Sequence, residues 1–365
     1  MRSIVAAPCK HQGSDRNTVM EHTQNPLQTN APPHAPTALD PVLSRHPGFR
    51  RMFAPGTLTL GLMHPLETYS GSVATMQEQI PLAQKAEHWG FAALWLRDVP
   101  LHDPYFGDAG QIYDTWVYLG WLAAQTRTVA LATGAVVLPL RHPLHVAKAA
   151  ASIDQLSQGR FVMGVASGDR PLEYPAFDAD FDSRGERFRE SLTYLHAALE
   201  HSFPVIDNPL GHMAGDVDLL PKPYAGRIPI LVTGASRQSA QWIAGHADGW
   251  LQYFRPPEQV ARLLALSRGL AQEQRPDIFV PYAQGFGLDL DADPSAPPRP
   301  IHNGLNVGRD WLRAFLLHLQ DLGVNHLFFG LKYGRRPASD VIDELGEHIL
   351  PHFPAHVEDT NLPQA

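Results

Sequence analysis

Cysteine is nearly absent: Cys9 is the single one among 365 residues, so no intrachain disulfide can form. A reducing compartment suits such a chain. Long apolar runs are also missing. Val129 to Leu140 is the longest, and Thr133, Gly134 and Pro139 interrupt it. A transmembrane helix needs about 20 apolar residues. Between Arg2 and Lys10 only Ile4 to Ala7 is apolar, short of the roughly 7–15 residues of a signal-peptide core. Positive charge is in short supply, with 29 Lys and Arg against 37 Asp and Glu, a net charge of −8. That balance gives no support to a nucleic-acid or anionic-membrane partner. A cytoplasmic protein acting on a small molecule is the expectation. Several signatures are missing too: GxxxxGK[ST], GxGxxG and GxSxG do not occur, which removes the P-loop, the dinucleotide fingerprint and the hydrolase elbow. Histidine is plentiful at 19 residues, but not at ligand spacing. His142 and His145 have no following carboxylate, His64 stands alone before Pro65, and His102 with Asp103 is isolated. No catalytic metal is expected.

The hydrophobic content is 44%, ample for a large core. Residues 1–55 are rich in Pro, His, Asn, Gln and Ser and lack periodicity, which predicts a disordered or extended arm. Met20 is an alternative start within it. Residues 356–365 form a tail. Between them, over 56–355, strand-like and helix-like runs alternate. Strands are predicted at 57–63, 92–97, 129–138, 161–166, 228–232, 249–253, 278–288 and 326–331. Helices are predicted at 75–89, 113–126, 145–156, 184–200, 236–245, 257–272, 309–322 and 341–349. The strands are apolar on both faces, as in a helix-covered parallel sheet. The class is α/β, and eight repeats favour a (β/α)8 TIM barrel over an open doubly wound sheet. An active site is then expected at the C-terminal ends of the strands.

Three segments end strands in small residues. In LATGAVVLPLRHP, Gly134 and Ala135 interrupt a strand, a mark of a bulge or of close ligand approach. In GRFVMGVASGDR, Ala166, Ser167 and Gly168 leave backbone bare for a flat ring or a phosphate; a tight turn explains them as well. Arg170, Arg184 and Arg187 follow. In ILVTGASRQSAQW, Gly234, Ala235 and Ser236 run into a predicted helix whose free N–H groups suit an anion, with Arg184 able to add a charge-assisted bond. A plain Ser N-cap is the alternative.

These segments in this order resemble the bacterial-luciferase-like monooxygenases. The matching stretches are TLTLGLM, AEHWGFAALWLRD, TGAVVLPLRHP, LHVAKAAASIDQLSQGR, GRFVMGVASGD, FDADFDSRGERFRESL, LVTGASRQSAQW and ADGWL, covering about Leu58 to Phe353. The resemblance implies a barrel, a homodimer, and FMN or the deazaflavin F420 at its C-terminal mouth. It places a non-proline cis peptide at Gly134–Ala135. It puts Ala166, Ser167 and Gly168 against the flavin, and Ala235, Ser236 and Ser239 in a phosphate loop. It brings Arg184 to the same phosphate. The chain departs from the luciferases in one respect. Where they carry a catalytic His after the second strand, it reads Arg97, Asp98, Val99 and Pro100. That argues against light emission and makes Arg97 and Asp98 a candidate pair beside the flavin, although Asp98 could instead pair with Arg97 or a neighbouring loop.

The leading expectation is an FMN-dependent monooxygenase using reduced flavin and O2 on a small organic substrate. With no nicotinamide fingerprint, a separate NAD(P)H-flavin reductase would supply electrons. F420-dependent hydride transfer and a non-catalytic flavin-binding protein are the alternatives. The loops 100–113, 171–183 and 288–307 are expected to shape the substrate pocket. Tyr105, Phe106, Tyr174 and Phe177 within them suit either an apolar ligand or loop packing.

Overall fold

The computed structural model describes residues 37–106 and 112–356. Cys9, Met20 and the rest of residues 1–36, and the tail from 357, lie outside the described residues.

Eight parallel strands close into a barrel. They are β1 (Thr59–Met63), β2 (Ala93–Leu96), β3 (Ala130–Thr133), β4 (Phe161–Ala166), β5 (Ile230–Thr233), β6 (Gly249–Gln252), β7 (Tyr282–Leu290) and β8 (His326–Gly330). Each pairs with its successor, and β8 returns to β1 with Thr59 opposite His326. Eight helices follow in turn: α1 (Gln79–Trp89), α2 (Thr115–Gln125), α3 (Pro143–Leu156), α4 (Arg184–Glu200), α5 (Ala240–His246), α6 (Pro257–Gln274), α7 (Arg309–Leu322) and α8 (Ala338–His348). The closed (β/α)8 TIM barrel matches the expectation, because strands covered on both sides by packing must be apolar on both sides.

Alternation within each strand builds two cores. Leu60, Leu62, Leu94, Leu131 and Met163 face outward to the helices. Ala93, Trp95, Ala132, Leu251, Ala283 and Phe328 fill the barrel. Small residues dominate the inside because one Trp and one Phe, stacked with ring centroids 4.4 Å apart, occupy its centre.

Residues 37–55 differ from the predicted arm. Leu43–Arg45 forms a short turn of 3-10 helix and Pro47–Met52 an α-helix. Leu43, Phe49, Met52 and Phe53 are buried with the barrel interior. His46 caps that helix by accepting from the Phe49 N–H, and its other ring nitrogen meets Asp154 at 3.2 Å. The polar composition around it masked four apolar residues that close the barrel floor.

Besides His46, His64 and His326 are fully buried. The indole N–H of Trp95 donates to His326 Nε2 at 2.9 Å, so that nitrogen is the acceptor and Nδ1 carries the proton. Nδ1 then donates to Thr59 Oγ1 at 2.8 Å, and Thr59 donates to the Met52 carbonyl at 2.7 Å. Burial lowers the pKa of His326 to about 3. His64 lies outside the barrel ring against Gln79 and Tyr118. Burial lowers its pKa to about 4, although the Gln79 hydrogen bond works the other way. Both rings are neutral in the fold, whereas unfolded histidines protonate near pH 6.5. As pH falls below that, the unfolded chain takes up protons that the native state refuses, so stability is lost downward and is flat above about pH 7. Each ring contributes about 1.4 kcal/mol per pH unit between roughly pH 5.5 and 4.5. Urea unfolding at neutral and acid pH checks this, and His64→Gln should remove about half of the slope that these two rings supply. Equal unfolding free energies at about pH 7 and pH 4.5 would contradict it.

Candidate functional site

The C-terminal ends of β3, β4 and β5 meet at a cavity of about 170 Å³. β3 stops at Thr133, whose hydroxyl donates to the Gly164 carbonyl at 2.9 Å. The next peptide, Gly134–Ala135, is cis. The chain then resumes as a two-residue strand, Val136–Val137, beside Val165 and Ala166. The predicted strand 129–138 is therefore two pieces. The first crosses so close to β4 that a Cβ on Gly164 would lie 2.0 Å from the Thr133 oxygen. β4 ends in Ala166, Ser167 and Gly168. At Gly168 (φ 78°) a side chain would strike the Tyr174 hydroxyl and Val137 at 2.7 Å.

Eight of the ten predicted cofactor residues line this cavity: Gly134, Ala135, Ala166, Ser167, Gly168, Gly234, Ala235 and Ser236. Arg97 and Asp98 line it too. Ser239 and Arg184 are not among its lining residues. Ser239 is the N-cap of α5, accepting from the Trp242 N–H. The helix predicted from 236 thus begins at Ala240. Residues 234–238 are a turn in which Gly234, Ser236 and Arg237 take left-handed conformations. Ser236 Oγ accepts from the Ser167 N–H at 3.3 Å and donates to the Thr233 carbonyl, which ties β4 to β5. Arg184 opens α4, stacks over the Phe181 ring, and donates to the Gly168 carbonyl at 3.3 Å. Next to it, the Gly185 carbonyl accepts from Gln238. The end of β4, the start of α4 and the 234–238 turn therefore converge.

Asp98 pairs with a neighbouring loop. Both of its oxygens meet Arg141, at 2.6 and 3.0 Å, and one also accepts the Val137 N–H. It anchors the shelf after the cis peptide, and its acceptors are in use. Sequence reasoning missed Arg141 although it sits in LPLRHP. A pair 43 positions apart leaves no periodic trace.

Two further groups were missed. Thr233 Oγ1 is a buried oxygen without a hydrogen-bond partner, and Glu173 Oε1 is another. Both residues line the cavity. Burial raises the Glu173 carboxyl above the usual range, aided by Asp98 and Asp169 and opposed by Arg170 and the Leu101 N–H. Arg170 Nη1 stands 3.9 Å from Glu173 Oε1 and lies over the Phe106 ring. A polar residue three positions before an aromatic-flanked acid was the available signal.

Of the loop aromatics, Tyr174 is fully buried and donates to the Ser167 carbonyl. It braces the cavity floor and presents no face to a ligand. Tyr105 is 89% exposed and Phe177 is exposed. Part of the 100–113 loop, residues 107–111, lies outside the described residues. A larger groove of about 700 Å³ runs between Phe254, Pro257, Leu305, Trp311 and Phe315. Its lining is nearly all apolar, and His318 is its single titratable side chain. The chemistry-bearing groups are in the smaller cavity. Among the described residues, no three His, Cys, Asp or Glu side chains gather as a metal site, and no helix is long and apolar enough to cross a membrane.

Residues 56–286 match the family model of luciferase-like monooxygenases. Relatives include 4-hydroxyprotoasukamycin monooxygenase of Streptomyces nodosus subsp. asukaensis, 28% identical over 200 residues, 54% of this chain and 52% of that one. The alkanal monooxygenase alpha chain of Photorhabdus luminescens is 26% identical over 182 residues, 47% of this chain and 46% of that one. The matched region thus spans about half the length of these curated relatives. Among solved structures, monooxygenase RslO1 from Streptomyces bottropensis superposes with a TM-score of 0.68 at 23% identity, over 81% of this chain and 99% of that one. An F420-dependent secondary alcohol dehydrogenase gives a TM-score of 0.66 at 17% identity, over 80% and 98%. Such likeness shows the fold alone. With residues 56–286, well over half of the chain, under the family model and a closed barrel whose small-residue strand ends gather at one rim, the chain belongs to the luciferase-like monooxygenase family.

Proposed function

We propose that the rim cavity holds the ring of FMN and that the protein is a flavin-dependent monooxygenase of small organic substrates. The observation that carries this is the lining: Gly134, Ala135, Ala166, Gly168, Gly234 and Ala235 present main chain where other sites present bulky side chains. A flat ring can lie on such a surface. The orphaned Thr233 Oγ1 supplies a hydrogen-bonding group at its edge. The cavity is below the roughly 300 Å³ of small-ligand sites, so a tricyclic ring would fill it and extend into its mouth.

When bound, reduced flavin supplies the electrons with which O2 oxygenates a substrate. The chain's own part is binding, orientation and exclusion of water. Asp98 and Arg141 fix the Val136–Val137 shelf. The turn 234–238 and Arg184 hold the phosphate, Arg184 by a charge-assisted bond. Ser239 serves this reading only indirectly, by fixing where α5 begins. Arg97 lines the cavity. Electrons come from a separate flavin reductase, and the protein works as a homodimer, as the family resemblance implies.

Titration with FMN and riboflavin, followed by flavin fluorescence, tests the reading. Arg184→Ala should weaken FMN by about 1.5–3 kcal/mol, the worth of a hydrogen bond to a charged group. Riboflavin, which lacks the phosphate, should bind almost as before. Equal losses for both would remove Arg184 from the phosphate. Binding of F420 in place of FMN would favour hydride transfer, and tight FMN binding with no oxygen consumption would favour a carrier.

A further inference from the structure

Flavin oxygenation at the cavity rim calls for a group that can move a proton, and no histidine lines the cavity. Three acids do: Asp98, Asp169 and Glu173. Asp98 is bonded through both oxygens to Arg141. Asp169 is exposed to water. Glu173 differs from both. Its side chain is 4% exposed, and Oε1 has no hydrogen-bond partner. The backbone N–H of Leu101, on the loop after β2, bonds the same carboxyl. Arg170 stands 3.9 Å from Oε1, held over Phe106.

Resting on the flavin reading of this cavity, we propose that Glu173 is its proton-transfer group, giving a proton from its carboxyl to an oxygen or nitrogen atom of the bound ligand. The O–H bond of the acid breaks, the new bond forms on the ligand, and Glu173 is left as a carboxylate. The Leu101 N–H and the Arg170 guanidinium stabilise that anion. Water at the open mouth returns the proton. No oxidant or reductant enters the step. Burial favours the neutral acid beforehand, and Asp98 and Asp169 add to it, while Arg170 and Leu101 oppose it. The charges that face Glu173 thus come from its own loop and from the loop after β2. A buried acid with one oxygen lacking a hydrogen-bond partner, next to a cation that welcomes its conjugate base, is arranged for transfer in both directions.

The test compares wild type with Glu173→Gln, which keeps the shape and an acceptor for the Leu101 N–H but has no acid proton. Infrared titration of the full chain without ligand should show a protonated-carboxyl band that titrates above the ordinary Glu range and is missing from the variant. Riboflavin is the second probe, because it has no phosphate to titrate. Its binding excludes water and favours the neutral acid. In wild type its Kd should rise with pH, by up to about tenfold per unit through the carboxyl's titration, and in Glu173→Gln it should be flat. A band unchanged in the variant, or a Kd flat in both proteins, overturns the assignment while leaving the flavin reading intact. Failure of both riboflavin and FMN to bind wild type overturns the flavin reading, and this assignment with it.

Discussion

Trp95→Ala should cost about 5 kcal/mol of stability, comparable with the whole stability of a modest domain. Trp95 is fully buried at the barrel centre, stacked on Phe328. Truncating a buried Trp removes about 3–5 kcal/mol through lost burial and the cavity left behind. The walls here are strand backbones closed into a ring, so the cavity cannot collapse. A second loss adds to the first. His326 Nε2 accepts its hydrogen bond from the Trp95 indole, and without it a fully buried acceptor is orphaned, at about 1–3 kcal/mol. The two overlap, so the sum is an upper bound. Trp95→Phe separates them, since it keeps a ring against Phe328 and loses the N–H. It should cost about 1–3 kcal/mol. The change also reaches the site, because a Cβ built on Gly134 would lie 3.2 Å from the Trp95 ring. Flavin affinity should fall together with stability. Chemical unfolding of the three proteins decides the matter, and a Trp95→Ala protein within 1 kcal/mol of wild type would mean that the barrel centre repacks.

The sequence made the barrel legible because its strands and helices carry local signals. Phe161–Ala166, Arg184–Glu200 and Arg309–Leu322 fall where they were predicted to, each framed by an apolar run or a helical spacing with clear ends. What escaped was set by contacts distant in sequence. Leu43, Phe49, Met52 and Phe53 read as stray apolar residues in a polar arm, and only the barrel floor gives them a common face. The antiparallel pair Val205–Asn208 with Gly211–Ala214 lies in a stretch of mixed polarity to which no element was assigned, and Arg299–Ile301 with Gly304–Val307 lies within the loop expected over 288–307. The break after Thr133 was readable as a Gly-Ala pair inside a strand, and the resemblance placed the cis bond at the right peptide. At the rim, small residues were easy to find, since they stand out against bulky strands. The start of α5 was placed at 236 and lies at 240, because Ser236 bonds across to Ser167 while Ser239 caps the helix. Polar pairing is the part that sequence hides: nothing near Asp98 in the chain points to Arg141.

That pair gives the second large effect. Arg141→Met should destabilise the protein by about 3 kcal/mol, the low end for breaking a buried ion pair. The Asp98 side chain is 2% exposed, so the carboxylate left behind keeps the Val137 N–H but loses both guanidinium bonds. Arg141 itself is 24% exposed, and water reaching its place holds the loss near that lower figure. Asp98→Asn should be milder, at about 1–3 kcal/mol, because a neutral amide can still accept from Val137 and leaves the arginine free to turn to water. The double variant should then be less damaged than the sum of the two, with a coupling of about 1–3 kcal/mol. Additive losses would mean that the two side chains act separately. The same cycle run on riboflavin affinity asks what the pair is for. Asp98 holds the shelf of Val136 and Val137 beside β4, and that shelf forms part of the cavity. If its work is to hold the backbone in place, all three variants weaken the ligand to a similar degree, since each releases the same shelf. If Asp98 were the acid or base of the site, Asp98→Asn would stand apart from Arg141→Met in its pH dependence. Its two bonds to Arg141 predict that it does not.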